Sequence, residues 1–199
     1  MSATQTAPAL LDPMLRDTVS AASRPGRRVI AQPVRVSLSI ADDLAGLADE
    51  WQAFEQEADC TVFQAFAWQS AWMKYVAPHQ MVTPAIVIGR DPAGALLFIL
   101  PLAVEKQALC RSLIWLSTDL SDYNAPLLAK DFADRVGSEN FPSIWRDILA
   151  ILRRDARFSP DAVILEKMPE AVGAQPNPFM ALSVIECPNG AHLTRLFGT

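Results

Sequence analysis

The chain has 199 residues, of which 51% are hydrophobic and 20% are charged, and its formal net charge is -5. This length is enough for one large domain or two small ones with a substantial core. The acidic balance argues against nucleic-acid binding, because that function rests on Lys and Arg side chains that neutralise phosphates. No apolar run approaches the length of a membrane-spanning helix, so we expect no membrane insertion.

The cysteines and histidines indicate neither a disulfide framework nor a metal site. Cys60, Cys110 and Cys187 lie far apart and form no C-x-x-C pair. The two histidines, His79 and His192, are equally remote from each other. The N-terminus also lacks the apolar core of a secretory signal. We therefore expect a cytoplasmic protein without a bound metal.

The chain divides into a leader, one domain and a tail. Residues 1–32 are rich in Ala, Ser, Thr and Pro and show no sustained hydrophobic period, which predicts a disordered leader. An ordered domain is predicted over residues 33–187, followed by a tail at 188–199.

One strand and two helices are predicted at the start of the domain. Apolar and polar residues alternate over 34–40, which is typical of a half-buried strand. Asp42 and Asp43 then suit the N-cap and acidic first turn of a helix. A second helix follows and ends at Pro78. Its predicted inward face comprises Trp68, Ala71, Trp72, Tyr75 and Val76.

A hairpin and several further elements follow. The sequence "DPAG" at 91–94 predicts a turn between strands at 85–90 and 95–104. The second of these strands is apolar on both faces, so it should be central and covered. Asn140 is predicted to cap a helix. The apolar spacing of this helix predicts an inward face of Phe141, Ile144, Trp145, Ile148 and Leu152. Further strands are predicted at 111–117, 125–129, 161–168 and 182–187, with a short helix before the last. This order predicts an α/β layered fold with a mixed sheet.

The polar loop 118–128 is the main candidate site. Asp122, Tyr123 and Asn124 lie in it, between two apolar strands. A carboxylate or phenol at a strand end can point into a substrate groove, where it would hold an amine or donate a proton. The same residues also suit a plain connecting loop, because Asp and Asn side chains hydrogen-bond to nearby backbone and Pro126 favours an extended chain before it. Both interpretations stay open.

Four features in a fixed order carry a family resemblance. They are a Trp-bearing helix, an F-x-x-x-x-W-x-x-x-W helix start at Phe63, an "LP" pair at 100–101 that closes a hairpin strand, and a Ser-Asp-Tyr loop at 121–123. Together they resemble the N-terminal half of GNAT-superfamily acyltransferases of the cellulose-biosynthesis (CelD-like) type. The likeness spans about residues 33–185. It implies a GNAT-like α/β (α+β) fold, with a mixed, largely antiparallel central sheet flanked by helices.

The resemblance also implies a function. Such proteins look like two GNAT-like halves in tandem, with acetyl-CoA or another acyl-CoA bound as co-substrate in the second half. Residues 33–187 would then be the N-terminal half, and 188–199 a tail or the start of a missing second half. The implied partners are a small-molecule or saccharide acceptor and either the missing C-terminal half or a second copy of the chain. A role in bacterial polysaccharide biosynthesis is inherited from the family label.

The cofactor loop of the family is degenerate in this chain. A GNAT domain holds the CoA pyrophosphate on an R/Q-x-x-G-x-G/A loop that opens a helix. Arg135 and Gly137 match the first two landmarks, but Glu139 stands where the second Gly or Ala is expected. We therefore expect an acceptor-binding or structural half that does not bind acyl-CoA and is inactive alone. The alternative is a non-catalytic, degenerate GNAT-like scaffold or dimerisation module. No catalytic residue is identified.

Overall fold

The computed structural model describes residues 35–182. The predicted leader at 1–32 and the tail at 188–199 lie outside these residues, as does the predicted strand at 182–187 apart from its first residue. The described chain has a mixed α+β fold, in which largely antiparallel sheets are flanked by helices. No helix between residues 35 and 182 is long and apolar enough to cross a membrane.

Four α-helices are present in the described chain. They are α1 (Ala48–Glu57), α2 (Phe66–Tyr75), α3 (Phe132–Arg135) and α4 (Phe141–Arg154). The carboxylate of Asp43 accepts hydrogen bonds from the amides of Ala45 and Gly46, at 2.9 and 3.2 Å. It therefore caps a chain turn as predicted, but this turn is a 3-10 segment at Ala45–Leu47, and α1 begins only after it.

Two sheets and a small hairpin contain the strands. The strands are β1 (Ser37–Ala41), β2 (Ala58–Asp59), β3 (Val82–Pro84), β4 (Ile86–Arg90), β5 (Leu96–Leu100), β6 (Leu102–Gln107), β7 (Cys110–Trp115), β8 (Leu127–Ala129), β9 (Ala162–Val163), β10 (Ala171–Val172) and β11 (Gln175–Pro176). The five-stranded sheet has the order β1-β4-β5-β8-β2 and is antiparallel throughout. The four-stranded sheet has the order β3-β6-β7-β9, and its β7–β9 pair is parallel.

The predicted hairpin forms, but each of its strands is shared between the two sheets. Pro101 separates β5 from β6, because proline has no amide proton to donate to a sheet ladder. Ala85 separates β3 from β4 on the neighbouring strand, and its amide donates to the carbonyl of Leu102 at 2.8 Å. β5 lies between β4 and β8 and is almost wholly buried, which confirms its predicted central position.

Apolar side chains cover the sheets from two sides. The inward face of α4 is buried as its periodicity predicts, and it belongs to one large cluster with β4, β5, β6 and β7. A second cluster on the other side is centred on Trp51 of α1 and Trp72 of α2, which pack with Ile86, Ile99 and Ile114. Both faces of β4 and β5 are therefore covered.

The predicted inward face of α2 is correct only in part, since Val76 packs on the core cluster of Trp72 and Trp68 is half-buried. Trp72 is buried, but Tyr75 is 66% exposed and Ala71 is exposed as well. Gln69 is buried in their place, because its Nε2 donates to the carbonyl of Phe63 at 2.6 Å and to Oγ of Ser117 at 3.1 Å. Apolar residues occur around the whole circumference of α2, so periodicity does not define its buried side.

Two other predicted features differ from the structure. Asn140 begins α4, but its side chain does not cap that helix. Instead Nδ2 donates to the carbonyl of Val136, at 2.6 Å, just after α3. The strand predicted at 161–168 is reduced to the two residues of β9. Beyond it the chain turns at Lys167, whose φ of +57° is incompatible with an extended strand.

Candidate functional site

A pocket lies at the carboxyl end of the parallel pair β7–β9. The two strands pair at Ser112–Leu113 and Ala162–Val163, and their chains then diverge. The carboxyl ends of parallel strands are where ligand crevices commonly form. Here the pocket has a volume of about 240 Å³. Its apolar lining is formed by Trp72, Ile114 and Ile164.

The charged lining of this pocket is entirely acidic. Glu105, Asp119 and Glu166 contribute carboxylates, and no Lys, Arg or His side chain lines the pocket. Within residues 35–182 these three carboxylates form no ion pair. No group of three or more metal-ligating side chains in that range could hold a metal ion. The lining therefore suits an organic cation that also carries an apolar portion.

Asp119 is oriented by two neutral donors from distant parts of the chain. Nε1 of Trp72 donates to Oδ1 at 2.9 Å, and Nε2 of Gln80 donates to Oδ2 at 3.0 Å. Because both donors are uncharged, they fix the carboxylate without neutralising it. A carboxylate held in this way can accept a hydrogen bond from an ammonium group, or take a proton from an amine or hydroxyl.

A buried polar network fixes the loop between β7 and β8. Ser117 is fully buried and adopts φ +62°, a left-handed conformation that is uncommon for serine. Its Oγ accepts a hydrogen bond from Nε2 of Gln69 and lies 3.0 Å from Oγ of Ser121. Ser121 in turn donates to the carbonyl of Ser117 at 2.9 Å. The loop therefore leaves β7 in a single, well-determined direction.

The same loop is joined to the chain that follows β9. Nδ2 of Asn124 donates to Oγ1 of Thr118 and to the carbonyl of Glu166, at 2.9 and 3.1 Å. The backbone amide of Asn124 donates to the carbonyl of Lys167 at 3.0 Å. Nζ of Lys167 donates to the carbonyls of Thr118 and Ser121, at 2.8 and 2.9 Å. These contacts bridge the gap where the two parallel strands diverge.

The three predicted site residues have different surroundings. Asn124 is buried and joins loop segments, as the connecting-loop interpretation requires. Asp122 is exposed and has no hydrogen bond or ion pair within residues 35–182. Tyr123 is 55% exposed, and its ring centroid lies 6.4 Å from that of Phe63. None of the three lines the acidic pocket.

The pocket carboxylates were not among the candidates taken from the sequence. Asp119 lies in the same polar loop as the predicted residues, three positions before Asp122. Glu105 follows the apolar run of β6, and Glu166 lies in the longer strand that was predicted at 161–168. An acid within three residues of the end of an apolar run was a signal available in each case, but nothing local connects the three positions.

The predicted cofactor loop is engaged in structural contacts. Arg135 lies in α3 and forms an ion pair with Asp91 in the turn of the β4–β5 hairpin. Gly137 has φ +75°, and a Cβ atom there would lie 2.7 Å from Oε1 of Glu139. The amide of Gly137 donates to a carbonyl of α3 at 3.0 Å, so it is not free to bind an anion. These residues do not fit an acyl-CoA pyrophosphate.

The described residues form a mixed α+β fold with an anionic, partly apolar pocket. Comparison of the chain with protein-family models, with curated proteins and with solved structures found no match.

Proposed function

We propose that the chain is the N-terminal, acceptor-binding half of a GNAT-type acyl-CoA-dependent acyltransferase, such as an acetyltransferase, and is inactive without a second half that binds acyl-CoA. The observation that carries the proposal is the acidic pocket at the carboxyl end of β7–β9. A cytoplasmic location and a role in bacterial polysaccharide biosynthesis are further parts of this proposal.

An acceptor with an amine fits this pocket best. Its ammonium form is attracted by Glu105, Asp119 and Glu166, and its carbon skeleton can contact Trp72 and Ile114. An amino sugar or a small aliphatic amine meets this description. The bound ammonium group must lose one proton before its nitrogen can attack the thioester carbonyl, and an oriented carboxylate is a suitable group to receive that proton. The C–S bond of the thioester then breaks, and the leaving CoA thiolate takes the second proton from the nitrogen. This chain would therefore bind the acceptor, orient it and hold its proton at Oδ1 or Oδ2 of Asp119.

The arrangement of the Arg135 loop supports assigning acyl-CoA to another half. The Arg135 guanidinium is paired with Asp91, and the Glu139 carboxylate lies over Gly137. A phosphate placed there would meet a negative charge and would compete with an existing ion pair. We therefore assign no step of acyl transfer to this loop.

Titration of the full chain with butylamine hydrochloride tests the pocket. We expect millimolar binding that shifts the indole N–H resonance of Trp72, and at least a tenfold weaker interaction in Asp119→Asn. Asp122→Asn is the matched control, because it makes the same chemical change at an exposed residue outside the pocket. Equal weakening by both substitutions, or no shift in the wild type, would contradict the assignment of the pocket.

Titration with acetyl-CoA tests the other part of the proposal. We expect no heat of binding to the isolated chain. Micromolar binding of acetyl-CoA would show that this half holds its own co-substrate, and the division of labour proposed here would then be wrong.

A second function, that of a non-catalytic scaffold or dimerisation module, is favoured by the outer face of α2. On α2, Ala71 and Tyr75 are exposed one helical turn apart, and Trp68 is half-buried. Met81, which follows α2 in the chain, is exposed as well. A helix that is apolar on all sides normally has both of its faces covered. A second GNAT-like half or a second copy of the chain would supply that cover.

Sedimentation equilibrium at tens of micromolar tests this second function. A dimer that Tyr75→Lys disrupts would support it. Leu109→Lys is the control, because Leu109 is fully exposed in the β6–β7 turn, away from α2. A monomeric wild type at that concentration would exclude dimerisation through α2.

A further inference from the structure

We propose that Lys167 is a positioning residue whose ammonium group latches the Thr118–Ser121 turn and so holds Asp119 in the acidic pocket. The latch itself is independent of the proposed function. Only its effect on ligand binding rests on the proposal that the pocket takes an amine.

The two contacts of the ammonium group bracket Asp119. Nζ of Lys167 donates to the carbonyl of Thr118, directly before Asp119, and to the carbonyl of Ser121, two residues after it. The turn between them is closed by the amide of Leu120, which donates to the carbonyl of Ser117 at 3.1 Å. The direction of the backbone at Asp119 is therefore fixed on both sides by one side chain.

The backbone of Lys167 is shaped for this role. Its φ of +57° turns the chain after β9 toward the loop, and its carbonyl accepts the amide of Asn124. Ser117, at the facing end of β7, is also left-handed. Non-glycine residues keep this conformation only where surrounding contacts determine it, and such residues concentrate at ligand sites and switches. Here one of them follows β7 and the other follows β9, and the hydrogen bonds of Lys167 join these two segments.

The latch does not consume a carboxylate of the pocket. The ammonium group donates to carbonyls and forms no ion pair within residues 35–182, although Glu166 is its neighbour in the chain. Lys167 itself does not line the pocket. The turn is thus held by a cation that makes no direct contact with the three carboxylates.

Hydrogen exchange of the full chain tests the latch without any ligand. In Lys167→Met we expect amides of residues 117–124 to exchange about tenfold faster and the indole N–H resonance of Trp72 to shift, because the turn loses two charge-assisted hydrogen bonds. Lys167→Arg retains donors and should restore most of the protection. Lys130→Met is the control, because it removes the same charge from an exposed residue without a contact in residues 35–182. Unchanged exchange in Lys167→Met would overturn the latch.

Butylamine titration of the same variants separates this inference from the proposed function. Severalfold weaker binding in Lys167→Met, rescued by Lys167→Arg, is the expected result. Faster exchange with unchanged amine affinity would overturn the positioning role, whereas no amine binding in any variant would overturn the proposed function alone. If Lys167→Met does not fold, Lys167→Gly replaces it, because glycine adopts a positive φ without strain.

Discussion

The two sheets are joined by two continuous chain segments, β3–β4 and β5–β6, but they differ in how their faces are covered. In the five-stranded sheet, side chains on both faces of β4 and β5 are buried, with Phe98 toward α4 and Ile99 toward Trp72. In the four-stranded sheet, Leu113 packs on the α4 side, whereas Glu105 on the opposite side lines the pocket. The pocket thus lies on the face of the four-stranded sheet that α2 covers only in part, beside Asp119 of the polar loop.

The largest effect is expected from Phe98→Ala in the covered sheet. Phe98 is fully buried, contacts the ring of Phe132 edge-on, and fills the space above Gly89. Its truncation should lower the free energy of unfolding by about 3–5 kcal/mol, as for other buried phenylalanines. Urea unfolding measures this change.

The substitution to compare with it, beside the four-stranded sheet, is Ile164→Ala. Ile164 is 47% exposed, so its truncation should change the free energy of unfolding by less than about 1 kcal/mol. If the two substitutions lower the free energy of unfolding equally, the difference in covering between the sheets does not affect stability.

An intermediate effect is expected from Arg135→Met in the loop that resembles a cofactor site. Losing the partner of Asp91 should lower the midpoint of urea unfolding, since the side chains of the pair are only 28% and 11% exposed. Arg146→Met, at an exposed position of α4, is the control and should be neutral. A change in acetyl-CoA affinity without a change in stability would mean that Arg135 belongs to a binding site after all.

The smallest effect is expected from the surface pair that joins α1 to β4. Arg90 donates to both carboxylate oxygens of Glu50, at 2.5 and 2.6 Å, and these bonds hold the pKa of Glu50 below its ordinary 4.5 despite partial desolvation. A lowered folded pKa means that the pair stabilises the protein above about pH 4.5 and that this contribution is lost as pH falls through the folded pKa.

Glu50→Gln checks this sign. It should lower the free energy of unfolding by less than about 1 kcal/mol at pH 7, because the pair is partly exposed, and the difference from the wild type should shrink in acid. Glu57→Gln, at an exposed position of the same helix, is the control. If the difference in the free energy of unfolding between Glu50→Gln and the wild type grows as the pH falls, the pKa of Glu50 is not lowered by the pair.

Local periodicity predicted the elements whose two sides differ strongly in polarity. The buried face of α4 and the alternation in β1 are confirmed for this reason. The face of α2 could not be read, because apolar residues surround that helix and buried contacts of Gln69 decide its orientation. The division into two sheets was also missed, although Pro101 in an apolar strand was its local sign.

The pocket depends on contacts that no local pattern contains. Trp72 and Gln80 reach Asp119 from 47 and 39 positions away in the sequence. Asp122 and Asp119 look equivalent in the sequence, yet only one of them has such partners in the described chain. The sequence therefore identified the loop, and only the fold distinguishes its two acids.

Pro101 has a consequence for motion. Hydrogen bonds between neighbouring strands protect backbone amides from exchange with solvent. Pro101 has no amide proton and cannot donate such a bond. We therefore expect the four-stranded sheet to open at a free energy below that of global unfolding, and its amides to exchange faster than those of the five-stranded sheet. Because of Pro101, the protein would be less rigid beside its pocket than in its core.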